Sequence, residues 1–253
     1  MAVPAGRIGP AGWLRILTRS LAGLALLIAC LLVYPLASAL FRRNPVPPMF
    51  LSGMLRVVGV RVRVIGERVH PPSILLANHV SWIDILALAK ASGTAFVAHD
   101  GLAGHPLARF LCRLNRTVFI ARHDRASVTG QITQVQSGLN ESGILTLFPE
   151  GTTGDGCNLM PFKSSLLAAI ERSPESIAIR PVWIDYGSQA SEFAWIGDEG
   201  GLSNAKRVLA HSKPIFVAVH LLPPIGAEQR RNRKVMAEAA RNAIATQMGL
   251  VSA

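Results

Sequence analysis

Ser73-Ile74-Leu75-Leu76-Ala77-Asn78-His79-Val80-Ser81-Trp82-Ile83-Asp84 begins as an unbroken apolar run, turns polar at Asn78-His79, and resumes as an apolar segment led by a serine. A run this short, apolar on both faces, reads as a strand covered on two sides. Ser81-x-x-Asp84 ahead of Ile85-Leu86-Ala87-Leu88-Ala89 reads as a helix start. Together they make a strand, a turn and a helix, with His79 at the carboxyl end of the strand, where sites in α/β sheets commonly lie. His79 can act as a general base if Asp84, on the first helical turn, holds its other ring nitrogen. The same Ser81-x-x-Asp84 spacing is also a capping box, in which Asp84 only satisfies the helix start. Both readings stand on the residues alone.

Outward from this unit the pattern recurs. Short apolar runs at Ala95 to Ala98, Thr117 to Ala121, Ile144 to Phe148, Ile177 to Ile184 and Pro214 to His220 are expected strands. Helices are expected at Ser81 to Ala91, Pro106 to Leu114, Arg125 to Asn140, Lys163 to Glu171 and Ala227 to Met248. The fold class is therefore α/β, with a mostly parallel central sheet covered by helices. Pro181 lies inside the run from Ile177 to Ile184, so that strand is expected at an edge or broken. With no internal repeat or linker after residue 70, residues 66–253 are read as one α/β domain.

Two more strand ends carry polar residues. Phe148-Pro149-Glu150-Gly151-Thr152-Thr153-Gly154-Asp155-Gly156 ends one strand in a glycine-rich turn. Its N–H groups and threonine hydroxyls can cradle a polar head group, with Glu150 as an acceptor. Thr117 to Ala121 delivers Arg122, a guanidinium suited to phosphate or carboxylate, and Lys163 is the next cation. The GxxxxGK[ST] order of a phosphate loop is absent. No serine or cysteine sits in a nucleophile-elbow motif, so direct attack by a substrate hydroxyl is simpler than an acyl-enzyme. Asp155 and Glu150 lack the further His or carboxylate partners of a metal site, and no metal is expected.

The chain of 253 residues has a net charge of +11 and an apolar fraction of 50%, which excludes intrinsic disorder as its main character. The first 63 residues hold eight arginines and no Lys, Asp or Glu, so most of the excess charge lies there. These arginines flank Ser20 to Phe41, 22 residues without a charged side chain, long enough to cross a hydrocarbon core of about 30 Å. A retained membrane element is the leading reading; a secretory signal and a buried helix are the alternatives. Pro35 can kink the run, and Met49 to Val60 is a second apolar patch too short to span. A helical hairpin dipping into one leaflet and a single anchor with a basic collar both fit. Residues 1–65 are read as this membrane-associated segment. The arginines form no stripe with interleaved aromatics, so nucleic acid is not expected as a partner. Cys30, Cys112 and Cys157 form no CxxC pair and signal neither a disulfide framework nor a zinc site.

Asn78 to Asp84 resembles the NHxSxxD block of the PlsC-like glycerolipid acyltransferases. Phe148 to Thr152 matches their FPEGT block, Thr117 to Arg122 looks like their arginine-ended strand, and Ile179 to Val182 resembles their last block. The resemblance implies His79 as general base and Asp84 as its orienting partner. It also implies Arg122, Glu150 and Gly151 as binders of the acceptor head group, to which the residues themselves add Thr152 and Lys163. It implies acyl transfer from acyl-CoA or acyl-carrier protein to a lysolipid hydroxyl, with no cofactor, at a bacterial-type cytoplasmic membrane with the catalytic domain facing the cytoplasm. The expected acceptor is 1-acyl-sn-glycerol-3-phosphate, giving phosphatidic acid. Thr153-Gly154-Asp155-Gly156 departs from the Arg-Ser that often follows FPEGT and is similar to the lyso-ornithine lipid acyltransferase branch, the second reading. A non-catalytic lipid-binding adaptor is the third.

Overall fold

The computed structural model describes residues 8–99, 110, 112, 115–120, 128–171 and 173–251. Two helices come first, α1 (Pro10–Leu40) and α2 (Val46–Val58), each opened by a proline in its first turn, where the missing N–H costs nothing. Asn44 closes the hairpin between them. Its Nδ2 donates to Tyr34 O at 3.1 Å and Ser38 Oγ at 2.7 Å, and its Oδ1 accepts the Val46 N–H at 2.9 Å. The two helices pack closely because Gly53 is bare: a Cβ there would lie 2.7 Å from the Leu26 side chain.

The strands that follow are β1 (Val60–Gly66) and β2 (Ser73–Ala77), then helix α3 (Ile83–Ser92), β3 (Ala95–His99), β4 (Val118–Ile120), helix α4 (Val128–Ser142) and β5 (Ile144–Leu147). Last come β6 (Ala178–Asp185), the short helix α5 (Ala190–Phe193), α6 (Gly201–Ala210), β7 (Ile215–Leu221) and α7 (Arg233–Gln247). The sheet order is β1-β7-β6-β2-β5-β3-β4, and every pair is parallel except β6 with β7. This is the expected α/β architecture.

β2 is buried along its whole length because both faces are covered. Leu75 and Ala77 join Val58, Leu88, Val182, Val208 and Phe193 on one face, under α2, α3 and α6. Ile74 and Leu76 join Leu139, Leu145, Ile170, Ile179, Met236 and Ile244 on the other, under α4 and α7.

Most of the patch from Met49 to Val60 is α2, the second arm of a helical hairpin with α1, packed on α1 and α3, and its last residue opens β1. Three expectations need correction. The boundary expected between residues 65 and 66 falls inside β1, which pairs with β7 from Val60↔Ile215 to Gly66↔Leu221. β6 is an interior strand despite Pro181. The Pro181 carbonyl accepts the Leu222 N–H just beyond the last β6–β7 ladder pair, so the side on which proline lacks a donor is where β7 departs. Lys163 to Glu171 forms only a 3-10 turn, Ser164–Leu167; the run from Leu167 to Ile170 is buried throughout and leaves no polar face for an amphipathic helix. The helix expected over Pro106 to Leu114 falls almost wholly outside the described residues.

The basic residues of α1 have a structural use. Arg15 Nε donates to Ala210 O at 2.9 Å, and Arg19 donates to Leu209 O at 2.8 Å and His211 O at 3.0 Å. Both guanidiniums thus satisfy the carbonyl end of α6, where the helix dipole favours a cation. On the outer side, Leu14, Leu17, Leu21, Leu24, Ile28, Leu32, Leu36 and Leu40 form an exposed stripe at three- and four-residue spacing.

Candidate active site

β2 ends at Ala77, and the Asn78 side chain continues its pairing with β6. Asn78 Nδ2 donates to Ile184 O at 3.0 Å while its Oδ1 accepts the Ile184 N–H at 2.7 Å. An amide is suited to this because it offers donor and acceptor together, as a peptide does. The next residue, His79, is thereby fixed at the carboxyl end of the central strand.

Asp84 is fully buried at the start of α3. Its Oδ2 lies 2.8 Å from His79 Nδ1 and accepts the N–H groups of Val80 at 2.6 Å and Ser81 at 2.9 Å. The two sequence readings of Asp84 are therefore both realised: one carboxylate oxygen serves the helix start and the histidine. Its Oδ1 accepts the Tyr186 hydroxyl at 2.5 Å.

With Nδ1 turned to Asp84, His79 presents Nε2 outward, and its side chain is 18% exposed. Its ring stacks on Phe148 at 3.9 Å between centroids. The loop after β5 holds its backbone from both sides. Glu150 Oε2 accepts the His79 N–H at 2.9 Å, and the Gly154 N–H donates to His79 O at 2.7 Å.

Glu150, expected to meet the head group, turns inward. It is 2% exposed, and its second oxygen accepts the Met160 N–H at 3.2 Å, so the carboxylate ties His79 to the far side of the loop. Burial pushes its pKa up to about 7; the hydrogen bonds from His79 and Met160 oppose that, and the charges of Asp84 and Asp155 add to it.

Gly151 turns the loop with φ of 71°, and its N–H donates to Phe148 O at 3.0 Å. Thr152 and Lys163 are exposed on the same loop, and Lys163 is held there by its own N–H on Pro149 O at 2.8 Å. Asp155 forms a tight turn, with its carboxylate accepting Cys157 N at 2.9 Å, Asn158 N at 2.7 Å and Asn158 Nδ2 at 2.8 Å. Desolvation, the largest single effect, pushes its pKa up, and the Asn158 and Cys157 donors together outweigh it and hold the group below the ordinary carboxylate range. Arg122 lies outside the described residues. Among the described residues, no group of three or more His, Cys, Asp or Glu could hold a metal ion.

Three features of the site go beyond the sequence reading: the strand-like pairing of Asn78, the Phe148 stacking platform and the Tyr186 hydroxyl. Asn78 and Phe148 belong to the motif blocks and are within reach of the sequence; Tyr186 is 102 residues from its partner in the chain. A fourth, Arg241 of α7, holds the loop end by donating to Leu159 O at 3.0 Å and Met160 O at 3.3 Å.

The acyltransferase family model matches residues 61–185 of the chain. The lyso-ornithine lipid O-acyltransferase of Rhizobium meliloti is 33% identical over 70% of this chain and 66% of its own length. That of Pseudomonas aeruginosa is 32% identical over 77% of this chain and 75% of its own length. The 1-acyl-sn-glycerol-3-phosphate acyltransferase of Neisseria gonorrhoeae is 32% identical over a shorter stretch, 44% of each chain. The crystal structure of PlsC from Thermotoga maritima has the same fold, with a TM-score of 0.59 at 18% identity over 93% of this chain and 98% of that one.

Proposed function

This chain belongs to the PlsC-like lysolipid acyltransferases, and from that premise we propose that His79 is the general base of a direct transfer from an acyl thioester to a lyso-ornithine lipid hydroxyl. The observation that carries the catalytic reading is the His79–Asp84 pair: Nδ1 is committed to a buried carboxylate, which leaves Nε2 to take a proton. Nε2 removes the hydroxyl proton as the acceptor oxygen attacks the thioester carbonyl. The tetrahedral adduct then collapses, the carbon–sulfur bond breaks, and the thiolate takes the proton back from His79. The donor is acyl-CoA or acyl-carrier protein. No step calls for a cofactor.

Both acceptors named from the sequence are the acceptors of relatives, and we order them by the loop. Thr153 stands where an arginine often follows the FPEGT block, so that cation is missing, and Asp155, two residues on, is tied into the turn next to Gly154, whose N–H donates to His79 O. A fixed carboxylate suits the ammonium of an ornithine head group and repels a phosphate dianion. The longer matches to lyso-ornithine lipid acyltransferases support the same order. Thr152 and Lys163 are the exposed groups of this loop left to meet the head-group carboxylate.

The membrane association of the chain rests on α1, 31 residues long, about 46 Å at the usual rise, and apolar enough to span. Its docking through Arg15 and Arg19 onto α6 supports a retained element, and its exposed apolar stripe supports a helix seated in one leaflet; a cytosolic thioester donor favours the catalytic domain on the cytoplasmic side. The deciding assay presents detergent-solubilised full chain with lyso-ornithine lipid and with 1-acyl-sn-glycerol-3-phosphate, each with acyl-CoA and acyl-carrier protein. Transfer to the ornithine acceptor, lost in His79→Ala, is the expected result; a preference for the phosphate acceptor reverses the order of the two.

A further inference from the structure

Asp84 carries one hydrogen bond that neither the helix start nor the histidine requires. Oδ2 already accepts from His79, Val80 and Ser81, and Oδ1 points away from all three toward the end of β6. There Tyr186, 3% exposed, brings its hydroxyl to 2.5 Å. That distance belongs to a strong hydrogen bond onto an ionised oxygen. Tyr186, Asp84 and His79 thus form one connected line. Tyr186 is itself fixed by its place immediately after the strand that Asn78 clamps and by its ring against Phe193.

We propose that Tyr186 is a positioning residue for acyl transfer, whose phenol holds the second oxygen of Asp84 so that His79 stands as a neutral base with Nε2 facing the acceptor hydroxyl. The inference rests on His79 being the base. Two effects act together. Geometrically, a carboxylate held on both oxygens cannot turn about its Cβ–Cγ bond, so the direction of the His79 ring is set from the end of β6. Electrostatically, a donor on Oδ1 draws off part of the negative charge that would otherwise stabilise the imidazolium. Burial and the Asp84 charge keep the phenol protonated well beyond its ordinary range, so it remains a donor at every working pH. Among the described residues, the other titratable groups facing the pair are Glu150, on the His79 N–H, and Asp155 further along the same loop. Neither touches Oδ1.

The test compares wild-type full chain in detergent with Tyr186→Phe and His79→Ala, reading kcat, KM and their pH dependence. Phenylalanine keeps the ring and removes only the hydroxyl. The expected loss in kcat is about tenfold, with KM for both substrates within about twofold, because the interaction acts in the proton-transfer step. The acid limb of the kcat profile should move to higher pH by roughly half a unit to one unit, as the unshared Asp84 charge stabilises the imidazolium. The chain has two tyrosines, so uniform 3-fluorotyrosine labels only Tyr34 and Tyr186. Its more acidic phenol should move the limb the other way, a readout independent of whether the phenylalanine variant folds. A pH profile unmoved by both changes overturns the inference, even if activity falls together with melting temperature. Full activity in His79→Ala would instead remove the base on which the inference rests.

Discussion

Glu150 accepts the backbone N–H of His79 at 2.9 Å, so a carboxylate from the loop after β5 fixes the main chain of the base that ends β2. The opposite N–H of the pair, from Met160, makes the carboxylate a strut across the loop. Its raised pKa of about 7 records the conflict between burial, which favours the neutral acid, and two N–H donors, which favour the anion. A pKa raised on folding means that the native chain binds the proton more tightly. The stability linked to this group is therefore full below about 4.5 and falls as pH rises toward 7, by roughly 3 kcal/mol. In Glu150→Gln that decline should vanish from the pH dependence of the melting temperature. The amide NH2 would also face an N–H donor, and kcat should fall about tenfold or more. An unchanged slope of stability against pH would remove the strut.

Asp84→Asn tests the shared carboxylate. Three donors converge on one oxygen and a fourth on the other, and an amide cannot accept at both ends. The expected result is a loss of kcat on the order of a hundredfold or more together with a destabilisation of about 1–3 kcal/mol. Thermal melting and initial rates on the same preparation check both.

Asn78→Ala should act through the fold. Removing the amide leaves the buried N–H and C=O of Ile184 without their partner, which costs on the order of 3 kcal/mol. Hydrogen exchange of the Ile184 amide should rise by several orders of magnitude if β6 frays there; protection equal to wild type would mean that the amide contributes nothing to the pairing.

Asp155→Asn separates charge from shape. Its Oδ1 accepts the two N–H bonds from Cys157 and Asn158, and an amide oxygen can keep them. The turn should persist while the preference for an ammonium-bearing acceptor over a phosphate-bearing one falls about three- to tenfold in kcat/KM. Competition between the two lysolipids in one assay reads this ratio directly.

How far the sequence leads depends on how local each contact is. The strand, turn and helix around His79 are legible because Ser73 to Ala77 is apolar on both faces and Ser81-x-x-Asp84 marks a helix start within four residues. Glu150 is legible as a site residue but not in its direction, since a carboxylate at a strand end can turn outward to a ligand or inward to a backbone N–H with the same sequence. β1 escapes the reading although Val60, Val62 and Val64 alternate with Arg61 and Arg63, the expected signature of a half-buried edge strand. Its arginines read as part of a membrane collar together with Arg15 and Arg19, and those two in fact close the end of α6. Pro181 misleads for a related reason: whether proline interrupts a sheet depends on which neighbour its missing donor faces, and only the register shows that.

The grip of Arg15 and Arg19 on α6 bears on how a water-soluble form of this protein can be made. Trimming the chain back to α2 or beyond would strip three carbonyls at the end of α6 of their guanidinium partners and expose the flank of α2 that lies against Gly23 and Leu26. Repainting is the gentler route. Polar replacements along the whole stripe, at Leu14, Leu17, Leu21, Leu24, Ile28, Leu32, Leu36 and Leu40, would leave the inner side of α1 intact while reducing its affinity for detergent. Such a variant would make the enzyme tractable for crystallisation without an amphiphile.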